Sequence, residues 1–213
     1  MSASDSPTSQ RDNVRDIMVE ARPAPERALS GLGDAAQRRA RGPAPVHLWN
    51  PPDCGDIDMR IAADGTWFYC GSPIGRAPLV QLFSSVLRRD GERYVLVTPV
   101  EKLGVKVDDA PFVAVELRVE GEADDQRLTF RTNVEDMVTA DESHPLRFER
   151  GESEGLKPYI RVRGDLWALV KRALFYDLAA LGRTDRWRDA DWFGVRSCGA
   201  FFPMCPTSEI DGL

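Results

Sequence analysis

The sequence contains few of the residues from which most catalytic and metal sites are built. Only two histidines occur in 213 residues, which leaves little material for a Ser-His-Asp triad or a zinc hydrolase. The four cysteines form no C-x-x-C unit, so we interpret Cys54, Cys70, Cys198 and Cys205 as free thiols. A P-loop is absent, and no G-x-G-x-x-G motif follows a strand. The sequence therefore names no reaction and indicates no particular cofactor.

The charge and hydropathy patterns exclude two classes of partner. The chain has 28 basic and 34 acidic residues, a net charge of -6, and its basic residues are interspersed with acidic ones. Because nucleic-acid binding normally needs a basic stripe, we expect no nucleic-acid partner. No apolar run is long enough for a membrane span or a signal peptide, so we expect a cytoplasmic protein without a membrane partner. The oligomeric state does not follow from the sequence.

The periodicity of apolar residues predicts an α+β protein of two small units, each a mostly antiparallel sheet packed with a helix. We expect a disordered tail over residues 1–25, an N-terminal α+β domain over 26–110, a C-terminal domain over 111–205 and a short tail over 206–213. Helices are predicted from Pro25 to about Arg39, from Pro78 to Arg89, and from Leu166 to Leu181 with Asp165 as N-cap. Strands are predicted over residues 56–61, 66–70, 94–98, 104–107, 112–120, 127–132, 137–140, 146–149 and 159–163.

The first candidate binding segment is the pair of strands between Gly55 and Arg76. Alternation places Asp56, Asp58 and Arg60 on one strand face. The two carboxylates either bind Mg²⁺ or a ribose hydroxyl, or pair with an arginine. Arg60 and Arg76 are candidates for binding phosphate or carboxylate, because a guanidinium contacts either group through two hydrogen bonds.

Two further residues of this segment have alternative interpretations. Ser72, in the turn Gly71-Ser72-Pro73, either approaches an anion together with backbone amides or only connects a strand to a helix. Trp67 either stacks on a base or anchors the core.

The second group of candidates lies further along the chain. Glu101 and Lys102 follow the rigid Thr98-Pro99 and either act as base and anion binder or form an ion pair at the junction. Tyr159, Arg161 and Arg163 alternate onto one strand face, where the arginines either collect an anionic ligand or meet the acidic residues of the first unit. This complementarity predicts a site between the two halves.

The following segments occur in order along the chain: Pro45–Pro51, Gly55–Ile61, Asp64–Tyr69, Gly71–Ile74, Arg76, Thr98–Lys102, Thr132–Asn133, Pro158–Tyr159, Arg161–Arg163, Phe175–Tyr176 and Ser197–Pro203. Together and in register, they resemble a bacterial family of small two-domain proteins of unknown function. The resemblance implies a core of repeated motifs and a C-terminal half similar to pleckstrin-homology domains. It also implies a nucleotide-like ligand between the halves and a role in signal transduction or in the response to oxidative stress. Cys198 departs from the family pattern, in which glycine is expected.

The favoured hypothesis is a non-enzymatic signalling module that binds a small anionic, nucleotide-like ligand at the domain interface. This hypothesis is favoured because the charged strand faces are predicted to meet, while the sequence offers no catalytic nucleophile. Two alternatives stay open at this point. One is a Mg²⁺-dependent enzyme that acts on a phosphorylated small molecule, and the other is a protein-interaction module.

Overall fold

The computed structural model describes residues 44–122, 125–151 and 155–212, and most of these residues lie in β-strands. The expected tail over residues 1–25 and the helix predicted from Pro25 lie outside the described residues. The described chain forms three sheets and two α-helices. Short 3-10 helices, Val46–Leu48 and Thr207–Gly212, lie near its two ends.

The N-terminal domain is a six-stranded sheet with one helix. Its strands lie in the order β3-β2-β1-β6-β5-β4, and β1 and β6 are parallel while the other neighbours are antiparallel. The sheet is therefore mixed. The elements are β1 (Asp53–Ile61), β2 (Trp67–Tyr69), β3 (Ser72–Pro73), α1 (Ala77–Ser85), β4 (Leu87–Asp90), β5 (Arg93–Val97) and β6 (Lys102–Val107).

The C-terminal domain has a second six-stranded sheet, a helix and a three-stranded sheet. The larger sheet has the order β10-β11-β12-β7-β8-β9, in which β12 and β7 are parallel. The smaller sheet, β13-β14-β15, contains the aromatic C-terminal region of the chain. The elements are β7 (Phe112–Glu120), β8 (Arg127–Thr132), β9 (Met137–Thr139), β10 (Leu146–Arg150), β11 (Leu156–Arg163), β12 (Leu166–Val170), α2 (Arg172–Ala180), β13 (Arg183–Trp187), β14 (Ala190–Ser197) and β15 (Ala200–Pro206).

Both helices that can be compared with the sequence prediction are shorter than expected. The prediction of one helix from Leu166 to Leu181 is wrong for its first part, because Leu166–Val170 is strand β12. Its alternate residues are buried, and it lies between β11 and β7. Because the side chains of this strand are apolar on both faces, periodicity does not separate it from a buried helix. Asp165 accepts a hydrogen bond from Trp167 Nε1 and caps no helix.

Helix α1 ends at Ser85, and the predicted continuation to Arg89 is strand β4 instead. Leu87 pairs with Leu96 of β5, and both side chains are buried. Long-range pairing with β5 therefore determines the structure of this stretch.

The core of the N-terminal domain lies between its sheet and α1. Trp67 and Phe83 stack with ring centroids 6.1 Å apart, and both are 1% exposed. Met59 and Ile61 of β1 are buried beside them, whereas Asp58 on the opposite face is exposed. The predicted alternation of β1 is therefore confirmed.

Candidate functional site

The predicted acidic face of β1 is held by an arginine that the sequence reasoning missed. Arg93 of β5 donates from Nη2 to Asp56 Oδ1 at 2.6 Å and from Nη1 to Asp53 Oδ2 at 2.9 Å. The backbone N–H of Gly55 and the Arg93 guanidinium hold the pKa of Asp53 below its ordinary value. Asp53 and Asp56 are therefore joined to β5, across the intervening strand β6.

Gly104 of β6 leaves the space that this ion pair occupies. A β-carbon at Gly104 would lie 1.9 Å from Asp56 Oδ1 and 2.6 Å from Arg93 Nη2. Such distances are far shorter than a van der Waals contact, so the pair crosses directly above the glycine. Any side chain at this position would displace the Asp56–Arg93 pair.

The other candidates of the first segment do not converge on one point. Arg60 lies 3.7 Å from Asp108 and stacks over the ring of Phe68, with 5.0 Å between guanidinium carbon and ring centroid. Asp58, Ser72 and Arg76 are exposed on separate elements. Trp67 lies in the core, so neither face of its ring is open to a ligand. Its Nε1 is buried and has no hydrogen-bond partner among the described residues.

Lys102 belongs to a hydrogen-bond network that holds the first described residues against the N-terminal sheet. Its Nζ donates to Asp90 Oδ2 at 3.1 Å, and Arg88 Nε donates to Asp90 Oδ1 at 2.6 Å. Arg88 Nη1 also donates to the carbonyls of Val46 and Trp49. Arg88 and Lys102 together lower the pKa of Asp90. The partner of Lys102 is therefore Asp90 rather than Glu101.

Glu101 lies in the tight turn between β5 and β6. The Thr98 hydroxyl accepts hydrogen bonds from the backbone N–H groups of Val100 and Glu101 at 3.3 and 3.1 Å. Glu101 Oε1 is buried and has no hydrogen-bond partner within the described ranges. Burial raises the pKa of this carboxyl.

Tyr159 anchors the connection between the two domains. Its hydroxyl donates to Asp109 Oδ1 at 2.8 Å, and Lys157 Nζ donates to Asp109 Oδ2 at 3.0 Å. Burial, followed by the hydrogen bond to Asp109, raises the pKa of Tyr159 far above its ordinary value. Because Asp109 lies between β6 and β7, this contact fixes the connecting segment to the C-terminal sheet.

Arg163 joins the two domains directly. Its Nη1 donates to Asp136 Oδ2 at 2.5 Å, and its Nη2 donates to the carbonyl of Ser84, in the last turn of α1, at 2.6 Å. The guanidinium carbon lies 4.9 Å from the centroid of Phe112. Arg163 thus has a structural partner in each domain.

Arg161 has a different environment. It lies opposite Trp167 in the β11–β12 ladder, and its Nε donates to the carbonyl of Gly164. No ion pair or carboxylate hydrogen bond of Arg161 occurs among the described residues. Arg147 lies over Trp167, with 4.1 Å between guanidinium carbon and ring centroid, and over Tyr159, with 5.0 Å. Two arginines therefore flank Trp167.

The N-terminal domain contributes an aromatic and a cation to the same region. Arg89 stacks over Tyr94 at 5.4 Å and lies 3.4 Å from Asp165, which precedes β12. Burial raises the pKa of Tyr94. Of the charges in the other domain, Asp165 raises this pKa and Arg147 lowers it. We define the junction cluster by its members, which are Arg89, Tyr94, Arg147, Tyr159, Arg161 and Trp167.

The structure thus brings side chains of both domains together, but in another combination than the sequence predicts. Asp56 binds Arg93, and Arg163 binds Asp136, so the acidic face of β1 does not contact the arginines of β11. Sequence reasoning missed four members of the junction cluster: Arg89, Tyr94, Arg147 and Trp167. Interpreting residues 166–170 as a strand would have placed Trp167 opposite Arg161, since β11 and β12 form a tight hairpin.

Two findings on the described part of the chain bear on other kinds of site. No three His, Cys, Asp or Glu side chains there are grouped closely enough to hold a metal ion. None of the helices described is both long and apolar enough to cross a membrane.

Two family models match the chain in succession. The N-terminal one, described as a domain of unknown function (DUF1285), matches residues 44–110. The C-terminal one, described as a protein of unknown function (DUF1285), matches residues 111–204. No functionally curated protein matches the chain.

Two solved structures resemble the chain. The crystal structure of a DUF1285 family protein from Silicibacter pomeroyi DSS-3 is 51% identical to it, with a TM-score of 0.76. That match covers 85% of this chain and 98% of the other. A DUF1285 family protein from Shewanella baltica OS155 is 27% identical, covers 57% of this chain and 89% of its own, and has a TM-score of 0.46.

Proposed function

Because this chain belongs to the two-domain DUF1285 family, whose function is unknown, we propose its function from the side chains at the domain junction. We infer that it is a non-enzymatic module for signal transduction or stress response, which binds a small, nucleotide-like anion at the junction cluster.

The environment of Arg161 is the observation that carries this proposal. Most other arginines of the region already contact a carboxylate, as Arg163 does with Asp136 and Arg89 with Asp165. Within the residues that the structure describes, Arg161 donates only from Nε, to a carbonyl, so its terminal nitrogens are available. A guanidinium donates two parallel hydrogen bonds to a phosphate, which makes Arg161 the expected anchor for the anion.

The aromatic side chains beside Arg161 fit the rest of a nucleotide-like ligand. Trp167 is its neighbour across the ladder and is only partly buried. Tyr94 of the N-terminal domain stacks with Arg89, which pairs with Asp165 just before β12. Flat rings of a ligand stack on such side chains. A ligand held between Arg161 and these rings would contact both domains.

The likeness of the C-terminal domain to pleckstrin-homology domains is also a proposal. A curved sheet followed by one helix supports it, since α2 follows β12 directly. The parallel pairing of β12 with β7 departs from a purely antiparallel sheet. The cytoplasmic location stays a prediction of the same kind.

Neither alternative function has comparable support. A Mg²⁺-dependent enzyme would need Asp56 free to bind the metal, but this carboxylate is engaged by Arg93 at 2.6 Å. For a protein-interaction module, no specific set of side chains in the described part of the chain provides support.

Thermal unfolding in the presence of AMP, ADP and inorganic phosphate tests the proposal. Ligand at about a hundred times its Kd stabilises the folded state by about 2.7 kcal/mol. At about 2–4 °C per kcal/mol, the Tm of a chain of this size rises by about 5–10 °C. We expect such a rise in the parent protein and its loss in Arg161→Ala.

Two further variants separate the parts of the proposed site. Arg127→Ala removes an exposed arginine at the start of β8 and should leave the rise intact. Trp167→Leu should weaken binding of AMP and ADP but not of inorganic phosphate. If none of the three anions shifts the Tm of the parent at millimolar concentration, the proposal is wrong.

A further inference from the structure

A cavity in the N-terminal domain has no assigned role. Its volume is about 340 Å³, and it is lined by residues of β1, β5 and β6 and by Glu92 before β5. It shares only Tyr94 with the junction cluster. The volume is near the lower end of the range for ligand pockets, about 300–1,000 Å³, so a ligand here must be small.

The cavity coincides with an irregularity in the pairing of two parallel strands. Asp56 pairs with Gly104 and Arg60 pairs with Lys106, so four steps along β1 correspond to two steps along β6. The extra residues of β1 interrupt the regular ladder at this point. Ile57, in the interrupted stretch, lines the cavity together with Gly104.

The charges on the cavity wall have both signs, and two of them have no hydrogen-bonded charged partner among the described residues. Asp56 and Arg93 pair with each other across Gly104. Lys106 is 72% exposed, and its ion-pair contact with Asp108 measures 3.9 Å, which is too long for a hydrogen bond. Glu92 is exposed and forms no ion pair within the residues that the structure describes. Among the described residues, one ammonium and one carboxylate that line the cavity therefore lack a hydrogen-bonded charged partner.

This combination disfavours ligands of a single charge sign. A phosphate on Lys106 would also meet the carboxylates of Asp56 and Glu92, which repel it. A cation on Glu92 would meet Arg93 and Lys106. A ligand that carries one positive and one negative group satisfies both free charges at once.

We propose that this cavity binds a small zwitterion, a free amino acid or a dipeptide, with its carboxylate on Lys106 and its ammonium on Glu92. The proposal does not depend on the anion site at the junction, because Lys106 and Glu92 are not members of the junction cluster.

Three forms of one dipeptide test the charge requirement. Ala-Ala carries both charges, N-acetyl-Ala-Ala lacks the ammonium, and Ala-Ala amide lacks the carboxylate. We expect Ala-Ala to bind the full-length protein in isothermal titration calorimetry and each single-charge form to bind at least about tenfold more weakly, a difference of about 1.4 kcal/mol. Absence of Ala-Ala binding at millimolar concentration, or equal binding of the three forms, would overturn the proposal.

Variants of the two free charges locate the site. Lys106→Met keeps the aliphatic stem and Glu92→Gln keeps the shape, and each should weaken Ala-Ala binding by at least about tenfold. Lys171→Met and Glu120→Gln remove exposed charges elsewhere and serve as matched controls. All four positions are exposed, and circular dichroism checks folding. Binding that survives both Lys106→Met and Glu92→Gln would show that the cavity is not the site.

Discussion

Cys198 has a backbone conformation that suits asparagine or glycine better than cysteine. It lies with Gly199 at the tip of the β14–β15 hairpin, with φ of +51° and +78° respectively. A two-residue hairpin turn of this kind requires positive φ at both central positions, and Asn-Gly is its preferred sequence. The expectation of glycine at position 198, taken from the family pattern, agrees with this geometry. We therefore predict that Cys198→Asn stabilises the protein.

The left-handed backbone conformation of Cys198 determines the expected gain in the free energy of unfolding. The left-handed region costs a residue with a β-carbon about 1–2 kcal/mol, and asparagine relieves part of that cost through local hydrogen bonds. The Cys198 N–H keeps its hydrogen bond to the Gln126 carbonyl in any variant. We expect Cys198→Asn to raise the free energy of unfolding by about 1 kcal/mol and the Tm by about 2–4 °C. Cys198→Gly should gain less, because glycine also increases the entropy of the unfolded chain.

Urea denaturation at neutral pH, followed by tryptophan fluorescence, measures this change. Two other cysteines provide controls. Cys70 lies at φ +47° before Gly71 at φ +75°, so Cys70→Asn should give a gain of similar size. Cys54 is exposed in β1 without a positive φ, so Cys54→Asn should give none. Equal effects at all three cysteines, or a loss of stability at Cys198 with an unchanged m-value, would refute the backbone argument.

Three other predictions concern buried or partly buried polar groups. Ser197→Ala should destabilise the fold by about 1–3 kcal/mol, because the buried Ser197 hydroxyl accepts from the Leu128 N–H and donates to the Ala140 carbonyl. Arg163→Lys should also cost about 1–3 kcal/mol in urea denaturation, because one ammonium cannot replace a guanidinium that bonds both domains; a neutral result would contradict this role. The raised pKa of Glu101 means that its protonated form favours folding, so this contribution is present below its ordinary pKa of 4.5 and is lost as the pH rises. Glu101→Gln should therefore stabilise the protein at pH 7 but not at pH 4, and equal effects at both values would contradict the burial of the charged group.

The sequence predicted best those elements that have one buried and one exposed face. In β1, Met59 and Ile61 alternate with exposed charges, and this local pattern was sufficient. The predicted membership of a two-domain family of unknown function is confirmed by the two family models. Prediction failed for residues 166–170, because β12 lies in the middle of its sheet and is apolar on both faces.

Local sequence patterns could not predict which residues the charged side chains contact. Asp56 and Arg93 are 37 positions apart and meet only because β6 inserts between β1 and β5 with a glycine at the crossing point. Arg163 likewise contacts Asp136 and Ser84 because the fold brings distant parts of the chain together. Such contacts depend on strand order, which alternation along one strand does not reveal.

The anchoring of Asp109 limits how the protein can respond to a ligand. Domain closure requires a few connecting residues whose backbone dihedrals are free to change. Here Asp109 is tied to Tyr159 and Lys157, and the next residues, Ala110 and Phe112, are buried. The connection therefore lacks the freedom of a hinge. A ligand at the junction would act by stiffening a nearly fixed arrangement and by changing the surface that it covers, so any downstream partner would recognise the occupied surface rather than a new domain angle.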